Sequence, residues 1–385
     1  MKLKNATCQV IEIWLRIFGI WPDSSYLFLR RLFWTIALMI EQTFQYQYLI
    51  VHFDSIEFSE AMYIFSSIMS YSLLVIKLGI FWYKQRMFDK ILRMMAIDWK
   101  RCSDAEFSMS VTIYNAKLSQ RLAHSTLVLY TMAVMFYSSH IFVNRTDGDK
   151  TFNVSTRRLV LHMDIPFDIN RKFIYELIII VQFIHLHLCS CMIGLLNVLL
   201  INLILHVGGQ IDILRRWLME IFSKERKHPS LSTIKRIIRK HQRIIIFSGY
   251  IEDLYSSVAM VVFVSDTLII CCLAFILVTS IGTSNGLKII MRVLLFYLAM
   301  NMEAFAFCFA GEYLSAKSKS IGDAAYNSLW YEADSKDIWI ILFLIMRSQT
   351  EITITIGKVM NLSLERFTGL LRASASYVSV LLAMN

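Results

Sequence analysis

Long apolar blocks separated by polar, basic stretches run along the whole chain. A membrane-crossing helix needs about 20 mostly apolar residues. Six blocks meet that length: Leu32–Val51, Met62–Trp82, His124–Val143, Phe173–Leu205, Ser256–Val278 and Ile289–Leu314. A seventh candidate closes the chain at Leu364–Met384. None of the seven contains a proline, because Pro22, Pro166 and Pro229 all fall between them. The 173–205 block would run about 50 Å as one helix, well past a hydrocarbon core of about 30 Å. It is therefore expected to continue out of the bilayer into a soluble helical bundle. Ile338–Met346 is apolar but too short to span, at about 14 Å, and reads as a buried helix in a cytoplasmic core.

Composition narrows the class. Of 385 residues, 56% are hydrophobic, 18% are charged and three are proline. The mean hydropathy is +0.53. Soluble chains carry more charge and more proline, so an ordinary cytosolic enzyme is improbable, and disorder is excluded by the aromatic content. The expected fold is an all-α polytopic seven-helix membrane protein.

The net charge of +10 fits cytoplasmic loops beside anionic lipid rather than nucleic-acid binding, because the basic residues lie between apolar blocks. Twenty-six Lys and Arg fall in segments 1–31, 84–121, 207–250 and 315–337, against seven in 52–61, 144–172 and 279–288. The positive-inside rule then puts the N-terminus inside and the C-terminus outside. The sequons at Asn144 and Asn153 fall in a segment placed outside, whereas those at Asn5 and Asn361 do not. The N-terminus is no signal peptide, since Glu12 and Arg16 interrupt any apolar core.

Catalytic chemistry has no foothold. No phosphate-binding Gly-rich loop, HExxH or zinc-spaced Cys pair occurs, so no enzyme, metal or cofactor is expected. The seven cysteines sit mostly in or beside apolar blocks, and Cys189-Ser-Cys191 reads as small buried side chains. His185 and His187 point to different faces of a helix and read as packed residues.

Polar groups inside spans are expensive and often functional. Glu41 with Gln42, Gln45 and Gln47 loads the first span, Asp266 the fifth and Glu303 the sixth. Lys77 sits low in the second, where it is expected to snorkel to the interface. In the last segment Gly369, Ala373, Ser376, Val380, Ala383 and Met384 share one stripe, with Phe367, Leu371, Val378 and Leu382 opposite. That stripe suits a pore wall closing by dewetting at Val380 and Met384, and suits close helix packing equally well.

The C-terminal sixty residues tip the balance. Ala325-Tyr-Asn-Ser-Leu-Trp-Tyr331, Leu344-Ile-Met-Arg-Ser-Gln349, Gly357-Lys, Leu362-Ser-Leu-Glu-Arg-Phe367 and Ser376-Tyr377 closely resemble insect odorant receptors. Weaker likenesses are Phe18-Gly-Ile-Trp-Pro22, Gly209-Gln-Ile-Asp-Ile-Leu214, His241-Gln-Arg-Ile-Ile-Ile-Phe-Ser248 and Ala310-Gly-Glu312. Glu351, Ile356, Ala375 and Val378 depart from the family's usual proline, alanine, tyrosine and phenylalanine, which indicates a divergent member. The second cytoplasmic loop is shorter than the co-receptor's, so the chain resembles an odour-tuning subunit.

The resemblance implies a subunit of a ligand-gated, non-selective cation channel, assembled with the co-receptor as a tetramer in the plasma membrane of a sensory neuron dendrite. Its expected organisation is a cytoplasmic N-terminal segment (1–31), a ligand-binding bundle (32–314), a cytoplasmic anchor segment (315–363) and a pore-lining seventh helix (364–385). The gate then falls at Val380 and Met384, with Ala383 at a selectivity position and Ser376 and Ala373 along the pore. A small volatile is expected among Ile64, Phe65, Ile68, Met132, Met135, Phe136, Ser139, Phe183, Val293, Phe296 and Tyr297. Their aromatic and Met character suits such ligands. Two rivals stay on the page: a G-protein-coupled receptor, which needs the N-terminus outside and usually shows Pro-kinked spans, and a gustatory-type channel, whose terminal Thr-Tyr and Gln-Phe are absent.

Overall fold

The computed structural model of the chain describes residues 9–102, 106–147, 159–165, 171–221, 231–283, 286–332 and 334–384. Ten α-helices carry the described chain: α1 (Gln9–Ile17), α2 (Leu27–His52), α3 (Phe58–Tyr83), α4 (Gln85–Cys102), α5 (Glu106–Asp147), α6 (Lys172–Ile221), α7 (Leu231–Thr279), α8 (Gly286–Tyr326), α9 (Ser335–Ser348) and α10 (Leu364–Met384). Each of the seven apolar blocks lies in its own helix. Among the described residues α3, α6, α7 and α8 are long and apolar enough to cross a membrane. The other three, α2, α5 and α10, are more polar. Asn144 falls within α5, while Asn153 and Cys8 lie outside the described residues. The remaining six cysteines are buried and free.

The overlong fourth block does continue as one helix, and α5, α7 and α8 are similarly extended. With no proline inside them, nothing removes a backbone donor and breaks the ladder. The expected boundary at residue 314 therefore falls inside α8, which runs on to Tyr326. Every residue from Cys191 to Ile211 on α6 is buried, as expected for a helix that is apolar all round. Around it pack α5 and α8, while α7 sits between α3, α8 and α10. The family-like stretch near the start forms a plug: Phe18, Ile20 and Trp21 are fully buried, Phe18 stacks on Trp34 at 4.0 Å, and the Trp34 indole donates to the Ile17 carbonyl at 3.0 Å.

The helix over 338–346 is present as α9 but is not a buried core helix. Ile341 and Leu344 pack inward, whereas Trp339, Phe343 and Met346 are exposed. Their i, i+4, i+7 spacing puts the three on one face. Among the described residues α8 and the short turn at Trp330–Glu332 pack against α9.

From α9 the chain enters a small antiparallel hairpin, β1 (Thr355–Ile356) with β2 (Met360–Asn361). Gly357 and Lys358 in its turn have φ of 59° and 64°, the sign that two-residue I′-type turns require. This explains the Gly-Lys motif, since glycine takes such a conformation freely. The hairpin is pinned to α7. The amide of Thr355 donates to Glu252 at 2.8 Å, that of Gly357 to the Ser256 carbonyl at 3.0 Å, and that of Lys358 to the Ser256 hydroxyl at 3.0 Å. Glu351, where the family often has proline, instead accepts from the Ser315 hydroxyl and pairs with Lys319 at 3.0 Å.

A buried polar knot ties α4, α6 and α7 together beyond the apolar blocks. Arg243 Nε donates to Asp98 at 2.6 Å and its terminal nitrogen to the Met94 carbonyl at 3.0 Å, while His206 Nε2 lies 3.5 Å from the other Asp98 oxygen. Burial pushes the Asp98 carboxyl up, but His206, by hydrogen bond and charge, together with Lys240 and Arg243, outweighs it and holds the group below its ordinary 3.8. A carboxyl depressed in the folded state stabilises the fold above its unfolded pKa and ceases to do so as acid protonates it. Asp98→Asn is therefore expected to lower the melting temperature of the solubilised protein at pH 7. The gap should shrink as the pH falls through 3.8; a gap independent of pH would remove the charge argument.

Candidate functional site

Four helices line an apolar cavity between them. Its wall is built from Ser67, Ser70 and Tyr71 of α3 and Tyr130, Ala133, Val134 and Tyr137 of α5. Leu186, Cys189, Ser190 and Ile193 of α6 and Phe296, Ala299 and Met300 of α8 complete it. The lining lies roughly three to six turns from the helix ends at Phe58, Asp147, Lys172 and Gly286, all on the same side of the bundle. Small-molecule sites are mostly apolar with a few placed polar groups, and this wall has that character. Here the polar groups are hydroxyls and one thiol. Tyr71 stacks on His185 at 5.8 Å and 7°, and Tyr137 meets Phe296 edge-on at 6.3 Å.

Of the eleven residues expected around a ligand, Phe296 lines this cavity. Ile64, Ile68 and Val293 are buried elsewhere in the packing, and Phe65, Phe136, Ser139, Phe183 and Tyr297 are half-buried. Met132 and Met135 are exposed. The residues of the actual wall follow a simple offset. On α8 they lie three positions further along, about one turn deeper, as do Ser67 and Tyr71 relative to Ile64 and Ile68 on α3 and Leu186 relative to Phe183 on α6. On α5 they lie two positions back, about 200° around the axis. The hydroxyl-rich Ser66-Ser67, Ser70-Tyr71 stretch was the sequence signal for it, since span hydroxyls concentrate where helices face each other.

Below the cavity lies a charged cluster. Lys77 does not snorkel: it is fully buried, its ammonium paired with Glu303 and donating to Asn197 at 3.3 Å. The Phe307 ring stands 5.8 Å away. Asp266 is fully buried too, and neither of its oxygens has a hydrogen-bond partner among the described residues. Glu41 accepts from Gln45 at 3.3 Å, and its other oxygen lies 3.6 Å from His185 Nδ1. The polar groups of α2, α3 and α8 thus join helices, as interhelical hydrogen bonding would have them do.

The last helix packs on α7 and α8 with one face. Leu370, Ser374 and Val378, spaced by four, are buried, and the Ser374 hydroxyl donates to the Thr267 carbonyl at 3.4 Å. Gly369, Ser376, Val380 and Ala383 are exposed and Ala373 is half-buried, so five of the stripe residues stand on or beside the free face. Leu382, assigned to the opposite side, is also exposed. Met384 ends the helix, its side chain outside the described set. The helix start is fixed by the Ala310-Gly-Glu312 motif: the Leu364 amide donates to Glu312 at 3.4 Å, and Gly311 lets α8 meet the Leu362 backbone.

Comparison with known proteins agrees with this architecture. The structure of the insect olfactory receptor OR5 from Machilis hrabei in complex with eugenol superposes with a TM-score of 0.79 at 17% identity, covering 98% of each chain. Odorant receptor 10 of Aedes albopictus is 31% identical over 211 residues, 54% of this chain and 55% of that protein. The odorant receptor coreceptor of Drosophila melanogaster is 24% identical over 154 residues, 40% of this chain and 31% of that protein. The chain thus spans about half the length, or less, of these curated relatives. The "7tm Odorant receptor" family model matches residues 55–375. These are receptors rather than enzymes, and with most of its length inside that match this chain belongs to the 7tm odorant receptor family.

Proposed function

We propose that this chain is the odour-tuning subunit of a ligand-gated, non-selective cation channel, assembled with the family's co-receptor as a tetramer around one central pore. One observation carries the reading: a single bundle holds both an apolar cavity with a few hydroxyls in its wall and a helix, α10, with a face left uncovered. A volatile occupies the cavity, with Phe296 among its contacts. α8, which both lines the cavity and packs against α10, carries occupancy to the pore. Seven helices cross the plasma membrane with the N-terminus inside and the C-terminus outside, in a sensory neuron dendrite. Glycans at Asn144 and Asn153, and none at Asn5, are the mapping result expected of that topology.

The exposed stripe of Trp339, Phe343 and Met346 on α9 supports assembly, since contiguous apolar faces mark interaction surfaces. Residues 315–363 form the cytoplasmic anchor in this reading. Val380 and Met384 from each subunit form the gate, where a ring of apolar side chains closes a pore by dewetting. Ala383 tunes selectivity, and Ser376 and Ala373 line the path.

Co-expression with the co-receptor should give volatile-evoked cation current across a diverse panel, and the chain alone should give little. Current of full size without the co-receptor would overturn the subunit assignment. Val380→Glu, exposed on α10, is expected to raise ligand-independent leak several-fold by wetting the ring. Unchanged leak, conductance and selectivity at normal surface expression would remove Val380 from the gate.

A further inference from the structure

The cavity wall carries more hydrogen-bonding capacity than the protein uses. Two phenol hydroxyls that face it, Tyr71 and Tyr130, are buried and have no hydrogen-bond partner among the described residues. The two side chains are 4% and 6% exposed, so bulk water does not serve them. Three other wall hydroxyls, of Ser67, Ser70 and Tyr137, are engaged. Ser70 donates to the Ser66 carbonyl at 3.0 Å, and Tyr137 interacts with Ser67 and Tyr63. The Tyr130 hydroxyl lies next to Asn197, on the side of the charged cluster. Tyr71 stands within electrostatic reach of Glu41, Cys189 and Tyr137 but its hydroxyl hydrogen-bonds to none of them. Its ring is fixed by stacking on His185, so its hydroxyl cannot swing away to find a partner without losing that contact.

A buried donor or acceptor without a partner is unfavourable, and a site so built discriminates strongly against a ligand that cannot supply the missing bond. The rest of the wall is flat and greasy. The rings of Tyr130, Tyr137 and Phe296 and the side chains of Val134 and Met300 offer surface for a planar apolar body. We propose that the cavity selects compact aromatic volatiles carrying a single hydrogen-bonding oxygen or nitrogen, and that the Tyr71 hydroxyl is the residue that reads that atom. This rests on the reading of the cavity as the odorant site. It adds the ligand class and the specificity-determining residue.

The test uses the full chain co-expressed with the co-receptor and ligand pairs that differ at one group. p-Cresol is compared with p-xylene, and acetophenone with ethylbenzene. Each agonist found in the volatile panel is compared with its own hydrocarbon analogue. In the wild type the polar member of a pair should be on the order of tenfold more potent or better. Tyr71→Phe keeps the ring and its stacking, and should bring the members of each pair within about threefold. Ala299→Phe and Ser190→Leu, read at matched surface expression, fill the cavity from two helices and test whether it is used at all.

Loss of all volatile responses in the filled variants, with equal potency within pairs in the wild type, overturns the ligand class and leaves the cavity as the binding site. So does a panel whose best agonists are hydrocarbons, whereas a polar preference that survives Tyr71→Phe overturns Tyr71 as the residue that reads the polar atom. Unaltered responses in both filled variants, or no volatile response at all, overturn the cavity reading itself and this inference with it.

Discussion

Lys77→Met should nearly abolish surface expression of the protein and sharply lower the thermal stability of whatever is recovered in detergent. Lys77 and Glu303 are both out of reach of water, and Asp266 nearby has no partner of its own. With the ammonium removed, the cluster holds two carboxyls and no cation. Removing one member of a buried pair typically costs about 3–5 kcal/mol, because the other charge is left uncompensated. That is comparable with the whole stability of many domains. Replacing both members by apolar side chains of similar size is often neutral, so Lys77→Met with Glu303→Met should recover much of the loss. Fluorescence-detected size exclusion with a melting series separates these outcomes. A single variant as stable as wild type would show that the pair does not hold α3 to α8.

Gly311→Val is expected to have the second large effect, acting on α10 from a distance. A Cβ at Gly311 would fall against the carbonyl oxygen of Leu362 and 2.5 Å from its Cβ. Backbone cannot step aside as a side-chain tip does, and α10 begins two residues further on, at Leu364. Overpacking of this kind costs about 1–3 kcal/mol, and here it pries the hairpin and the start of α10 off α8. Loss of ligand-evoked current with partly retained surface expression is the expected outcome. Gly322→Ala is the informative comparison. Its Cβ would meet only the Ser348 hydroxyl, at 2.7 Å, with the next atom at 3.6 Å, and that hydroxyl can rotate. Equal effects of the two substitutions would mean that the close approach at Gly311 is not what fixes the helix start.

Much of the fold was legible because apolar length is a direct physical requirement. The seven blocks are seven helices, and the 33-residue block continues into a longer one as its length demanded. Motifs were legible where a backbone constraint made one residue type necessary: Gly357 at positive φ, and Gly311 against another backbone. The short hairpin left no hydrophobic signal, since two residues per strand give no periodicity, and α9 looked like a core helix because nearly all of its middle is apolar.

The amino-acid sequence by itself determined that seven apolar blocks form helices, but not α1 and α4, nor how far α5, α7 and α8 run beyond their apolar stretches. It did not determine how each helix turns about its axis. Where every side chain is apolar, periodicity carries no phase, so the sequence could not say which residues line the cavity, and of the eleven expected around a ligand Phe296 does. Nor did it settle partners for charges. Lys77, Asn197 and Glu303 lie on three helices far apart in the chain, and only their packing shows that the lysine stays inside the bundle instead of reaching for the interface. Rotation and depth are properties of contacts between helices, and those contacts exist only once the bundle has closed.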